Sequence, residues 1–177
     1  YDLAAALADL IDNSITADAS DVAILFEPGE SDVTVRIRDN GVGMTREILI
    51  AAMRPASTNP DSARDPADLG RFGWGLKSAS LSQARVLTVV TWRHGAINAA
   101  RWDIDDIDGW AMEVMSGEEA SGLLSRPPET IGGTEVIWTK TDRLVADQDN
   151  RVDDGLTQSI AQANQRLSLT FHRFLAG

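Results

Sequence analysis

Three short clusters of carboxylate, amide and glycine residues carry the chemistry legible in this chain. The first is Asp9-x-x-Asp12-Asn13-x-x-Thr16. An asparagine amide oxygen is a hard, neutral ligand of the kind Mg²⁺ accepts beside water and substrate phosphates. A carboxylate one helical turn earlier, at Asp9, can polarise a water held near that ion. The second cluster is Asp39-Asn40-Gly41-Val42-Gly43-Met44. A buried, ionised Asp39 only accepts hydrogen bonds, so it suits the exocyclic amine of adenine and repels the carbonyl of guanine. Gly41 and Gly43 let the backbone approach a flat base closely, and Met44 offers adaptable apolar packing beside it. The third cluster is Gly70-Arg71-Phe72-Gly73-Trp74-Gly75-Leu76-Lys77-Ser78. Glycines ahead of a helix present free N–H groups and a positive dipole end to an anion. Lys77 adds a point charge one turn in, and Trp74 is placed to close over a ligand. Gly132-Gly133-Thr134 is a weaker fourth element, usually a turn, whose threonine hydroxyl can bond the same carboxylate from a neighbouring strand.

Each cluster also has a plainer reading. At about 100° per residue, Asp9, Asn13 and Thr16 fall within roughly 60° of one another, opposite the leucines and isoleucines. That equally describes the solvated face of an amphipathic helix. Asn-Gly after a β-run is a strong hairpin signal, although a helical pattern follows here instead of a returning strand. The third cluster is not a P-loop, because Leu76 separates Gly75 from Lys77. Gly41-x-Gly43 is not a dinucleotide fingerprint either, since Arg46 stands where the third glycine belongs. Asp103, Asp105, Asp106 and Asp108 are wrongly spaced for a calcium loop and read as a solvated turn.

The elements that must position these residues follow from periodicity. Leu3, Leu7, Leu10, Ile11 and Ile15 repeat with a helical period over residues 3 to 15. Alternating runs at Val22 to Phe26 and Val33 to Ile37 predict two strands joined through Pro28-Gly29. Thr45 predicts an N-cap for a short helix through Met53. Residues 54 to 69 are polar and proline-rich, a long stretch of the sort that is often functional. A helix from Gly70 to about Gln83 follows. Strands are predicted at Val86 to Trp92, Ala96 to Ile104, Ala111 to Met115 and Thr134 to Thr139, and a last helix from Asp154 to about Phe174. This order predicts an α+β, two-layer α/β sandwich, with a mixed and mostly antiparallel sheet covered by helices on one face.

With 177 residues the chain is long enough for one cored domain, 1–177, and short for two. Its net charge of −11 disfavours a phosphate backbone or an anionic membrane surface as partner of this domain. The absence of cysteine removes disulfides, thiolate nucleophiles and Cys-based zinc sites, and the two histidines lie too far apart for a metal motif. No apolar run reaches the ~20 residues of a membrane span. No signal-peptide pattern opens the chain, so a cytoplasmic location is expected. The start at Tyr1, inside a helical pattern, is what a piece of a longer protein would show.

Taken in order, Asp9-Leu10-Ile11-Asp12-Asn13-Ser14-Ile15-Thr16-Ala17, Asp39-x-Gly41-x-Gly43-Met44, Gly70-x-Phe72-Gly73-x-Gly75 and Gly133-Thr134 resemble the GHKL ATPase superfamily of gyrase, heat-shock chaperone, histidine kinase and MutL. The run Gly70 to Ser80 most resembles the Microrchidia (MORC) branch and its bacterial relatives. The resemblance implies the Bergerat ATP-binding fold, with residues 54–75 as ATP lid and phosphate loop. It implies Mg²⁺ on Asn13 and adenine on Asp39, with Gly41, Gly43, Met44 and Thr134 around the base and Ala17 on the pocket floor. Gly70, Phe72, Gly73, Trp74, Gly75, Leu76 and Lys77 would then line the phosphate side. Asp9 falls where hydrolysing members keep a glutamate as general base. An aspartate is one methylene shorter, and a misplacement of about 1 Å can cost on the order of 10²-fold. Slow ATP hydrolysis is therefore expected, with a non-catalytic ATP sensor and dimerisation switch as the alternative and a histidine-kinase catalytic domain behind both. An ATP-dependent homodimer of the full-length protein is the implied partner.

Overall fold

The computed structural model describes residues 2–54, 72–106, 112–141, 144 and 161. The leucine period becomes α1 (Leu3–Thr16). Its first turn is capped by Asp2, whose Oδ1 accepts the Ala5 N–H at 2.8 Å and so satisfies one of the donors left open at a helix start. Two strands follow, β1 (Val22–Pro28) and β2 (Val33–Asp39), then α2 (Arg46–Met53). Thr45 caps α2 as expected, its Oγ1 accepting the Ile48 N–H at 3.4 Å. The remainder runs α3 (Phe72–Gln83), β3 (Val86–Arg93), β4 (Ala96–Asp103), β5 (Glu113–Ser116), α4 (Gly117–Ser121) and β6 (Gly132–Thr139). The proline-rich stretch from residue 55 and the bulk of the predicted final helix lie outside the described residues.

The six strands form one sheet in the order β1-β2-β6-β3-β4-β5. The sheet was expected to be mixed and mostly antiparallel; every pairing among the described residues is antiparallel. β6 is inserted between β2 and β3. This places Asp39 of β2 across from Thr134 of β6, and Thr134 across from Thr91 of β3.

Because successive strand side chains point to opposite faces, the core divides in two. Val35, Ile37, Val89, Val136 and Trp138 face α1, α2 and α3, where Leu7, Leu10, Leu49, Met53 and Ala79 complete the larger cluster. Their alternates Val90, Ala99, Met115 and Ile137 pack with Ala120 of α4 and with Leu123 and Leu124. The expected helical layer is thus α1–α3. The five-residue α4, which no periodicity announces, covers part of the reverse face. Two strand tryptophans pack into the molecule: Trp138 is fully buried, and Trp102 Nε1 donates to Met53 O at 2.8 Å. Asp103 and Asp105 bind the Lys140 ammonium at 2.8 and 3.1 Å, so that part of the acidic turn is an ion-paired corner. Among the described residues no helix is long and apolar enough to cross a membrane.

Leu7 is 1% exposed at the centre of the helix–sheet contact, whereas Leu25 is 42% exposed. Leu7→Ala is expected to lower unfolding free energy by about 2–5 kcal/mol through lost transfer energy and a residual cavity. Leu25→Ala should stay within about 0.5 kcal/mol. Urea denaturation of the two variants measures both.

Candidate functional site

At the end of β2 the Asp39 carboxylate is buried. Its Oδ1 accepts the Gly41 N–H at 2.9 Å, and Ser14 Oγ lies 3.1 Å from its Oδ2. Burial raises the Asp39 pKa above 3.8, opposed by the Gly41 main chain, the Ser14 hydroxyl, the Thr134 main chain and the charge of Arg38. A carboxylate offers about four acceptor positions, so these bonds leave capacity for a further donor. Asp39 lines a cavity of about 310 Å³ between the helical layer and the sheet, within the usual size range of small-molecule sites.

The loop that follows is held by its own side chains. Asn40 Oδ1 accepts the N–H groups of Ser20 and Asp21, each at 2.9 Å, and its Nδ2 donates to Ser20 Oγ at 3.0 Å. The asparagine therefore staples β2 to the turn after α1 and makes no hairpin. Val42 N–H donates to Ala17 O at 2.9 Å. A Cβ at Gly41 would come within 2.6 Å of Ala17 O. At Gly43, whose φ is +65°, it would lie 2.1 Å from Trp92 O. The two glycines are thus required by backbone packing, apart from any approach to a base. Met44 N–H then donates to Thr91 Oγ1 at 2.8 Å, and Thr91 Oγ1 donates to Gly133 O at 2.9 Å, 3.4 Å from the Thr134 hydroxyl.

The cavity gathers many of the residues singled out from sequence. Asn13 and Ala17 line it from α1, Asp39, Gly43 and Met44 from β2 and its loop, Leu76 from α3 and Thr134 from β6. Asp9 stands one turn before Asn13, half-buried, and is not among the lining residues. Gly41 lies behind the wall, against Asp39 and Ala17. Lys77, expected at the phosphates, instead donates from its ammonium to the Arg54 carbonyl, tying α3 to the end of α2. Its partial burial lowers its pKa. Gly75 lies within α3, and among the described residues a Cβ there would meet nothing within 4 Å. Phe72, Gly73 and Trp74 begin α3, and Gly70 lies outside the described residues.

Sequence reasoning missed Ser14 and Thr91, both buried and both bonded into the Asp39–Thr134 neighbourhood. It also missed Arg93, Ile48 and the apolar walls Ile37, Val89 and Val136. As to metal, no group of three or more His, Asp or Glu side chains converges among the described residues. The Asn13 amide oxygen is a donor suited to an ion that keeps its waters and phosphates, as Mg²⁺ does.

Residues 1–124 match the family model described as histidine kinase-, DNA gyrase B-, and HSP90-like ATPase. The chain is 38% identical to the ATPase morc-1 of Caenorhabditis elegans over 94 residues, 53% of this chain and 11% of the relative. It is 30% identical to the chaperone protein HtpG of Bacillus licheniformis over 119 residues, 63% of this chain and 19% of the relative. With the DNA mismatch repair protein MutL of Thermotoga maritima it shares 34% over 87 residues, 48% of this chain and 17% of the relative. The chain therefore spans less than a fifth of each of these proteins. A solved structure, the N-terminal domain of a DNA repair protein, superposes with a TM-score of 0.56 at 20% identity, covering 96% of this chain and 45% of that one. This is a likeness of fold.

Because Asp39 holds its proton more tightly in the folded chain than in the unfolded one, its contribution to stability is greatest below pH 3.8. That contribution falls as pH rises through the elevated folded value. In urea midpoints measured across a pH series, Asp39→Asn is expected to remove this decline.

Proposed function

The chain belongs to the histidine kinase-, DNA gyrase B- and HSP90-like ATPase family, and from that premise we propose that it binds ATP with Mg²⁺ in the Asp39 cavity and hydrolyses it slowly as a nucleotide-driven conformational module. ATP binding and ATPase-type chemistry are properties of that family. The observation that carries the reading to these residues is the buried Asp39 carboxylate, short of donors and facing the cavity across from Thr134. An ionised carboxylate there accepts from the adenine amine and meets the guanine carbonyl with repulsion. Gly43, Met44 and Thr134 surround the base, and Ala17 forms the floor.

Asn13 is the residue assigned to the ion, through its side-chain oxygen. Bound Mg²⁺ supplies charge neutralisation on the phosphates. The glycine-punctuated start of α3, with Gly70, Phe72, Gly73, Trp74, Gly75 and Lys77, is assigned to the phosphate side. Lys77 would have to exchange the Arg54 carbonyl for phosphate to take that role. Asp9 orients the attacking water and accepts its proton, the chemistry of a general base. A second reading, a sensor that binds ATP without turnover, is favoured by one observation: Asp9 is not among the residues that line the cavity.

Calorimetry with a non-hydrolysable ATP analogue is expected to show Mg²⁺-dependent binding, with a GTP analogue at least about 10-fold weaker. Asp39→Asn should abolish the adenine preference. Absence of binding by the wild-type chain would overturn the proposal. For the chemical step, single-turnover hydrolysis by Asp9→Asn should fall by about 10²-fold or more. Equal rates in variant and wild type would remove Asp9 from the role, and binding without any wild-type turnover would leave the sensor.

A further inference from the structure

Directly behind the Asp39–Thr134 pair, on the reverse face of the sheet, lies a buried ionic cluster that takes no part in the cavity. Glu135 is 0% exposed. Its Oε1 accepts from Arg36 Nη1 at 2.8 Å and from Ser125 N–H at 3.0 Å. Its Oε2 accepts from Arg38 Nη1 at 2.7 Å and from Ser125 Oγ at 2.9 Å. Arg38 also donates to the carbonyls of Arg126 and Pro127 at 2.9 and 3.0 Å, and its guanidinium lies 4.5 Å over the Trp92 ring. Trp92 also packs against the Gly133 backbone, where a Cβ would lie 2.1 Å from the ring.

Such a cluster is a poor device for stability alone, because well-packed apolar residues often serve as well or better. Its best-attested use is to fix register. The register at stake is specific. Arg38 pairs with Glu135 across β2 and β6, and the next pair along is Asp39 with Thr134. A slip of one residue would turn Asp39 to the reverse face. We propose that Glu135 and Arg38 are a positioning pair for nucleotide recognition, locking β2 against β6 from behind so that Asp39 stands across from Thr134 in the cavity. This rests on the adenine-binding function proposed above. The same bonds anchor residues 123–127, the segment that leads back into Gly132 and Gly133. Neither side chain lines the cavity, so both act through Asp39.

The test compares binding of an ATP analogue with that of the matching purine riboside triphosphate analogue, which lacks only the exocyclic amine. Their affinity ratio reads the Asp39–amine bond. A variant that merely lowers the folded fraction weakens both ligands equally and leaves the ratio unchanged. The wild-type ratio is expected to be about 10 or more. Glu135→Gln keeps the shape but sets an amide donor against Arg or Ser125 donors, and should bring the ratio to within about threefold of unity. Glu27→Gln, which removes only the exposed partner of Arg36, should keep the wild-type ratio. If Glu135→Gln does not fold, Arg38→Lys carries the test, since it keeps the charge but loses the guanidinium fork to Glu135, Arg126 O and Pro127 O, with the ratio expected to fall at least about twofold. A wild-type ratio in folded Glu135→Gln, or failing that in Arg38→Lys, overturns the positioning pair alone. A wild-type chain that binds ATP without preferring the amine overturns the adenine assignment and this proposal together.

Discussion

A carboxylate kept out of water at the end of a strand is the constraint around which this molecule is arranged. Ionised Asp39 is costly to bury, as its raised pKa records. The chain offsets part of that cost with the Gly41 N–H and the Ser14 hydroxyl and leaves part unmet. The Gly41 N–H is held in place because the glycine loop lies against Ala17 and Trp92 and because Asn40 pins the loop's start to the turn after α1, while Ser14 comes from α1 itself. Local geometry that looks like ordinary turn chemistry is therefore subordinate to one buried charge.

The sheet topology supplies the rest. Insertion of β6 between β2 and β3 lets Thr91 act as a joint, accepting from Met44 on the loop and donating to Gly133 on the neighbouring strand. Helices α1–α3 close the same face with leucine, methionine and alanine, which leaves a largely apolar cavity with few polar groups. That composition, apolar walls with a small set of fixed polar contacts, is how small-molecule sites gain orientation without losing desolvation energy.

Much of this was legible in the sequence. The leucine period of α1, the Thr45 cap and the strand alternation each express a local rule, and local rules survive folding intact. Asn13, Asp39, Met44 and Thr134 could be found because their residue types suit a ligand. Ser14 falls on the apolar face of α1, four residues after Leu10 and seven after Leu7, so the helical period places it inward but does not name its partner on β2. Thr91 sits in a strand run where β-propensity explains a threonine without any further role. Arg36, Arg38 and Glu135 occupy the alternate phase of half-apolar strands, which reads as an exposed charged face. Arg38 and Glu135 are buried, and Arg36 partly so, because residues 123–127 fold over them after α4, and an aperiodic segment announces no such cover. The contact between Lys77 and Arg54 depends on how α2 and α3 meet, which no spacing encodes.

The strand order also sets a timetable. Arg38 and Glu135 are 97 residues apart in the chain, and β2 has no neighbour on its inner edge until β6 arrives. Contacts of such separation form late, after the entropy of closing a long loop has been met. A chain growing from its N-terminus can assemble the β1–β2 ribbon and the β3–β4 hairpin early. It holds two halves of a sheet until Thr139 has emerged. Only then does Asp39 acquire its opposite neighbour, so a nascent or C-terminally truncated chain lacking β6 has no complete pocket, and the strand that joins the two halves of the sheet also closes the wall of the site.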